Sequence, residues 1–183
     1  MFKRILVPLD FSASSLRALD DAVALARSFK AELILMHAVE PIYYAGAGGA
    51  FGPVYDTGML LQELARSGRE QLSRIAAKIE KRRVKVRTLL QIGTPYDVIL
   101  RAAKKQKADL ILLSTHGRTG LAHVLMGSVA EKVVQHASCA VLTVRGLEAV
   151  KTRSASRPTR TPTRRAAARP KPRKAARKSR LRS

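Results

Sequence analysis

The 183 residues predict an α/β fold, a parallel sheet with helices on both faces, followed by a disordered basic tail. Three observations lead there. Short apolar runs of five to eight residues alternate with helical periodicities of ten to twenty-five. Several of these runs are apolar almost throughout, as strands covered on both faces are. After Arg145-Gly146 the composition changes abruptly. Right-handed crossovers keep the strands of such a unit parallel.

Lys3 to Leu9 reads as the first strand and ends at Asp10. Ser12 suits an N-cap, and Leu16, Leu19, Val23 and Ala26 then recur at helical spacing to Phe29. Leu33 to Val39 is the second strand. The stretch from Ile42 to Pro53 is too glycine-rich for regular structure and too long for a minimal turn, which marks a functional or mobile loop. From about Gly58 to Arg83 an amphipathic helix is expected, then a strand over 84–91. Thr94 as N-cap, Pro95 at the first helical position and Asp97 in the first turn open the next helix, which runs to about Lys107. Asp109 to Ser114 is the fourth strand, helical sequence covers about Gly127 to His136, and Val141 to Arg145 is the fifth strand.

Charge sorts the chain into two parts. Against 13 acids stand 35 Lys and Arg, a formal charge of +22. Residues 151–183 hold 14 of the bases and no acid, leaving 21 bases and 13 acids before them. The expected division is a folded domain over 1–147 and a tail over 148–183, where Lys, Arg, Pro, Ala, Ser and Thr cannot build a core that offsets ordering entropy. No apolar run reaches about 18 residues, the length of a membrane span. The N-terminus lacks the apolar region of a signal peptide, so a cytoplasmic protein is expected. The single cysteine, Cys139, excludes an internal disulfide and reads as a small apolar residue of the interior.

The strongest local signal runs from Ser114 to Glu131. A glycine-bearing turn follows a strand, and Gly127-Ser128 then opens a helix. Free backbone N–H groups and the positive end of a helix dipole suit an anion, most often phosphate. An ordinary glycine turn with an N-cap serine is the competing reading. Neither G-x-x-x-x-G-K-[ST] nor a G-x-G-x-x-G after the first strand is present, which excludes a P-loop NTPase and argues against a dinucleotide site.

The start Ile5-Leu6-Val7-Pro8-Leu9-Asp10-Phe11-Ser12, the strand end His37-Ala38-Val39 and the segment Ser114 to Leu142 resemble the universal stress protein family, over about 145 residues and in the right order. The resemblance implies an adenine nucleotide α-hydrolase-like sheet of order 3-2-1-4-5 and a homodimer paired through the last strand. It also implies ATP bound through G-x-x-G-x9-G-[S/T], with or without Mg2+ or Mn2+. Here that motif reads Ser114-x-x-Gly117-x9-Gly127-Ser128, with serine in place of the first glycine.

Carried over, the resemblance puts Pro8, Leu9 and Asp10 at the adenosine end, with Asp10 near the ribose or a metal. Val39 lends backbone contacts to adenine, and His116 and Gly117 approach the phosphates. Gly127, Ser128, Val129 and Ala130 cradle them. Physical reasoning selects the same place, because ligands of open sheets bind beyond the carboxyl ends of strands where strand order reverses. A lone carboxylate after a strand is commonly a helix cap, but its placement with the glycine turn favours Asp10 as a ligand.

Related hydrolase-like enzymes use an H-x-G-H signature, whereas this chain has only His116-Gly117-Arg118, so no catalytic residue is assigned. Slow ATP hydrolysis or autophosphorylation is the most that is expected. The tail resembles those of linker histones and bacterial histone-like proteins. As a flexible polycation it is expected to bind DNA, or else RNA or polyphosphate, by releasing counterions. It holds no aromatic residue for base stacking. The resulting expectation is an ATP-dependent sensor or regulator of the stress response, cytoplasmic or held at the nucleoid. A nucleoid-associated architectural protein and a weak ATPase are the alternatives.

Overall fold

The computed structural model describes residues 1–41, 57–115 and 126–145. All of them lie in the first of the two units into which the chain divides, Met1–Glu148 and Ala149–Ser183. The glycine-rich loop and the tail expected from the sequence lie outside the described residues.

Strands and helices alternate: β1 (Arg4–Pro8), α1 (Ala13–Phe29), β2 (Glu32–Val39), α2 (Thr57–Glu80), β3 (Val86–Ile92), α3 (Pro95–Lys105), β4 (Leu110–Ser114), α4 (Ser128–His136) and β5 (Ala140–Val144). The strands form one sheet of order β3-β2-β1-β4-β5, and every neighbouring pair is parallel. This is the expected architecture. Element ends differ by up to three residues from the expected ones; α3 stops at Lys105, and β5 starts one residue early at Ala140.

The apolar strands are buried because their alternate residues serve two separate cores. Ile5 and Val7 of β1 join Leu33, Leu35 and Leu112 against Ala22 and Val23 of α1 and Leu72 of α2. Leu6, between them in sequence, points the other way and joins Ile34, Met36 and Ile111 against Val98 of α3 and Val133 of α4. Each such aliphatic side chain taken from water contributes about 1.5–3 kcal/mol before entropy is counted. Cys139 is half-buried against the second core, and burial pushes its thiol pKa up, which suits a packing residue rather than a nucleophile.

Ser12 caps α1 as expected, accepting the Ser15 N–H at 3.2 Å. Thr94 occupies the N-cap position of α3, but its hydroxyl makes no capping hydrogen bond. Pro95 at the head of the helix has no N–H to satisfy. Asp97, the acid of the first turn, pairs with Arg101 at 2.8 Å.

The start of the sheet is tied together by Asp109. Its Oδ2 accepts the N–H groups of Lys3 and Arg4, both at 2.8 Å, across 106 and 105 residues of sequence. These two backbone hydrogen bonds hold the Asp109 carboxyl below the usual carboxylate range. A group depressed in the folded state stabilises above its unfolded pKa, about 4, and that stabilisation is lost as pH falls through the lowered folded value. Asp109→Ala is expected to cost about 1–2 kcal/mol at pH 7 by urea denaturation. The gap to the parent chain should shrink below pH 4; a gap constant from pH 7 to pH 2 would contradict this role.

Candidate functional site

The sheet reverses its strand order between β1 and β4. Pairing there is short: Ile5 with Leu110 and Leu6 with Ile111, whereas β1 and β2 stay paired to Pro8 and Met36. Pro8 has no N–H with which to continue a ladder. The two strands therefore part, and a cavity of about 850 Å³ opens beyond their carboxyl ends. That volume is within the range of small-ligand sites, about 300–1,000 Å³.

Every site residue expected from the sequence that the structure describes lines this cavity: Pro8, Leu9 and Asp10 from the end of β1, Val39 from β2, Ser114 from β4, and Gly127, Ser128, Val129 and Ala130 from the head of α4. His116 and Gly117 lie outside the described residues.

The β1 side is a turn held from within. Asp10 Oδ1 accepts the Ser12 N–H at 3.0 Å and the Ser12 hydroxyl at 2.6 Å, and Ser12 in turn caps α1. The cap and the ligand readings of Asp10 thus share one residue, since its carboxylate supports the helix start from the cavity wall. Phe11 follows in the left-handed region with φ 64°, a strained conformation for a bulky residue. Its ring lies on that of His37, 4.4 Å between centroids. Buried His37 uses Nδ1 to donate to the Leu9 carbonyl at 2.7 Å. It therefore fixes the backbone of the turn, the structural role that a histidine within a strand more often has.

The other wall is the start of α4. The Gly127 N–H donates to the Thr115 carbonyl at 2.7 Å and brings the helix head onto the end of β4. Gly127 has φ −69°, so its backbone conformation does not demand glycine; space does. A Cβ there would sit 3.2 Å from the Thr115 carbonyl oxygen. Gly127 at the N-cap position offers no side chain to cap α4. The N–H groups of Ser128, Val129 and Ala130 have no acceptor within the helix and stand at the positive end of its dipole. Among the described lining residues Asp10 and Glu40 are acidic and none is Lys or Arg. An anion at this wall would be held by backbone N–H groups, with the carboxylates left for hydroxyls or a cation.

A nucleotide-bound Mg2+ or Mn2+ fits such a wall only in part. These ions commonly take one or two protein carboxylates and fill their shell with phosphate oxygens and water. Asp10 supplies one carboxylate, and among the described residues no cluster of three His, Cys, Asp or Glu could hold a metal by itself.

Sequence reasoning missed the α2 contribution, Leu64, Ser67, Gly68 and Gln71. At Gly68 α2 lies against the sheet with no room for a side chain: a Cβ there would meet His37 Cδ2 and Leu90 Cδ1, each at 2.9 Å. A glycine inside a helix costs about 1 kcal/mol relative to alanine, and that local cost was the available signal.

Comparison with known proteins agrees with the architecture. Residues 1–145 match the family model described as Universal stress protein family. A universal stress protein of Methanocaldococcus jannaschii is 36% identical over 146 residues, 79% of this chain and 83% of the relative. The solved UspA of Lactobacillus plantarum superposes with a TM-score of 0.69 at 27% identity, covering 79% of this chain and 98% of its own. A universal stress protein solved in complex with cAMP gives a TM-score of 0.54 at 25% identity, covering 79% and 97%.

Proposed function

The chain belongs to the universal stress protein family, and from that premise we propose that it is an ATP-binding sensor or regulator of the stress response. The observation that carries the reading is the uncapped head of α4 facing Asp10 across a cavity at the strand-order reversal. A cAMP complex within the family supports an adenine nucleotide as the ligand class.

In this reading the backbone N–H groups of Ser128, Val129 and Ala130, with Gly127, His116 and Gly117, receive the phosphates. Asp10 takes the ribose or an accompanying Mg2+ or Mn2+. Pro8, Leu9 and Val39 border the adenosine. The Val39 carbonyl already accepts the Gly93 N–H at 2.9 Å, so it is held in place for that contact. Ser114 stands where the family motif has glycine and narrows the passage by one Cβ and a hydroxyl.

We further propose a homodimer through β5, an edge strand on which Ala140 and Leu142 are exposed, and a tail that holds the protein on DNA or another polyanion. Its place is then the cytoplasm, in part at the nucleoid. The tail's 14 positive charges also favour a second reading, an architectural DNA-binding protein in which the fold supplies only dimerisation.

Nucleotide content separates the two. Protein purified without added nucleotide should release ATP on denaturation, and ATP at a hundred times its Kd should stabilise the native state by about 2.7 kcal/mol. An empty protein whose melting ATP does not shift would leave the architectural reading. Single-turnover assays on the parent chain and Gly127→Trp test catalysis, and equal phosphate release from both would remove it.

A further inference from the structure

The end of the sheet away from the cavity carries its own chemistry. In a parallel sheet with returning helices, the N-terminal ends of the strands and the C-terminal ends of the helices meet at one pole. The turn from α1 to β2 brings Arg27 and Lys30 there. The turn from α2 to β3 adds Lys78, Lys81, Arg82, Arg83 and Lys85. Lys104, Lys105 and Lys107 follow from the turn between α3 and β4, and Lys3 and Arg87 flank the set. All twelve are exposed, and none lines the cavity.

Few of these charges are spoken for. Arg87 pairs with Glu32 at 2.6 Å and Arg82 with Asp20 at 3.5 Å. The other ten make no ion pair among the described residues. Of the remaining acids at the pole, Asp109 accepts two backbone N–H groups, which leaves Glu80 alone at the end of α2.

Helix dipoles account for part of the pattern, because cations are favoured in a last turn. Arg27, Lys78, Lys104 and Lys105 occupy last turns. The remaining eight lie outside them, and three of these carry a second observation. Lys30, Arg83 and Lys107 follow α1, α2 and α3 in the left-handed region, with φ of 54°, 60° and 51°. Glycine is the favoured residue at such a position because a Cβ is strained there. All three positions instead hold a long cation, on the same pole.

We propose that this pole is a docking surface for the backbone of duplex nucleic acid, carried by the folded domain and distinct from the tail. It goes beyond the nucleotide reading and does not depend on it. The chemistry of the surface selects the partner. Among the described residues, and apart from Met1, the exposed large hydrophobics, such as Leu16, Leu60 and Leu142, lie outside these turns, so these turns offer a protein partner no apolar anchor from the described residues. The nearby rings, Phe2 and Phe29, are half-buried and pack edge to face at 5.5 Å, so they offer no open platform for unpaired bases. From β3 to β4 the surface extends over three strand spacings, about 14 Å. A duplex carrying one charge per ~1.7 Å of axis presents several phosphates across that width.

The test is Lys30→Gly/Arg83→Gly/Lys107→Gly in the full chain, titrated with a short DNA duplex over a range of salt. Affinity at 0.1 M salt should fall at least tenfold, and the plot of log K against log salt should flatten by about 2–3 units. Tm should not fall, because glycine relieves all three left-handed positions. Unchanged affinity and slope would overturn the proposal and leave the tail as the whole grip. Should the triple variant lose Tm, Lys81→Gln/Lys85→Gln/Lys105→Gln reports instead, with the same expected loss. Equal losses for polyglutamate or for single-stranded DNA would overturn the assignment to a duplex. ATP affinity, measured on the same variants, should be unchanged; failure of ATP to bind the parent chain would remove the nucleotide reading and leave this one standing.

Discussion

Gly127→Trp is expected to weaken ATP binding at least a hundredfold while leaving the fold intact. The smallest side chain at this position already puts its Cβ 3.2 Å from the Thr115 carbonyl oxygen, which is backbone and has little room to give. The 2.7 Å hydrogen bond between the Gly127 N–H and that oxygen sets where α4 begins, so it must lengthen as the side chain is accommodated. An indole then lies across the N–H groups of Ser128, Val129 and Ala130, the groups that would receive a phosphate. The residue is only half-buried and belongs to neither core, so Tm should change by no more than a few degrees. Calorimetric titration with ATP decides it, with Gly127→Ala as the intermediate case at about a tenfold loss. An affinity for the Trp variant within threefold of the parent would mean that the nucleotide sits elsewhere.

Gly68→Leu is expected to cost about 2–3 kcal/mol and to weaken ATP binding as well. A side chain there drives into His37 and Leu90, whose nearest atoms are 2.9 Å from a Cβ alone. Leu90 can shift within its rotamers. His37 has less freedom, because it is buried and donates to the Leu9 carbonyl, and displacing it releases the turn that carries Asp10 and the left-handed Phe11. Overpacking of a filled interior typically costs about 1–3 kcal/mol. Gly68→Ala trades the same contact against a gain in helix propensity of about 1 kcal/mol and should be near neutral. Urea denaturation of the two variants checks the order; equal stability for Ala and Leu would show that α2 simply moves away.

The inner strands β1, β2 and β4 were legible because both of their faces are buried, which leaves nearly unbroken apolar runs such as Ile5-Leu6-Val7 and Leu33-Ile34-Leu35-Met36, with essentially no exposed surface. The walls at Asp10 and Ser128 were legible for a related reason, since each follows a strand end or opens a helix and is announced by its neighbours in the chain. What α2 contributes was not, because the rotation of a helix above the end of a sheet is set by packing between elements far apart in sequence. The left-handed helix ends escaped notice as well. Their usual marker is glycine, and Lys30, Arg83 and Lys107 look like ordinary surface charge until φ is known. The Thr94 cap failed on a subtler point: a threonine before a proline has the right identity at the right position, and its hydroxyl still does not turn back to the helix.

The hydrogen bonds from Lys3 and Arg4 to Asp109 span more than 100 residues, and they have a consequence in time. β1, α1, β2, α2 and β3 can assemble from contacts between neighbours in the chain, whereas β4 must close a long loop to reach β1, a late and slow step in folding. The cavity lies on the seam between these two halves and does not exist until that loop has closed. A ligand in it therefore recognises only finished molecules, and should slow unfolding while leaving the rate of folding unchanged.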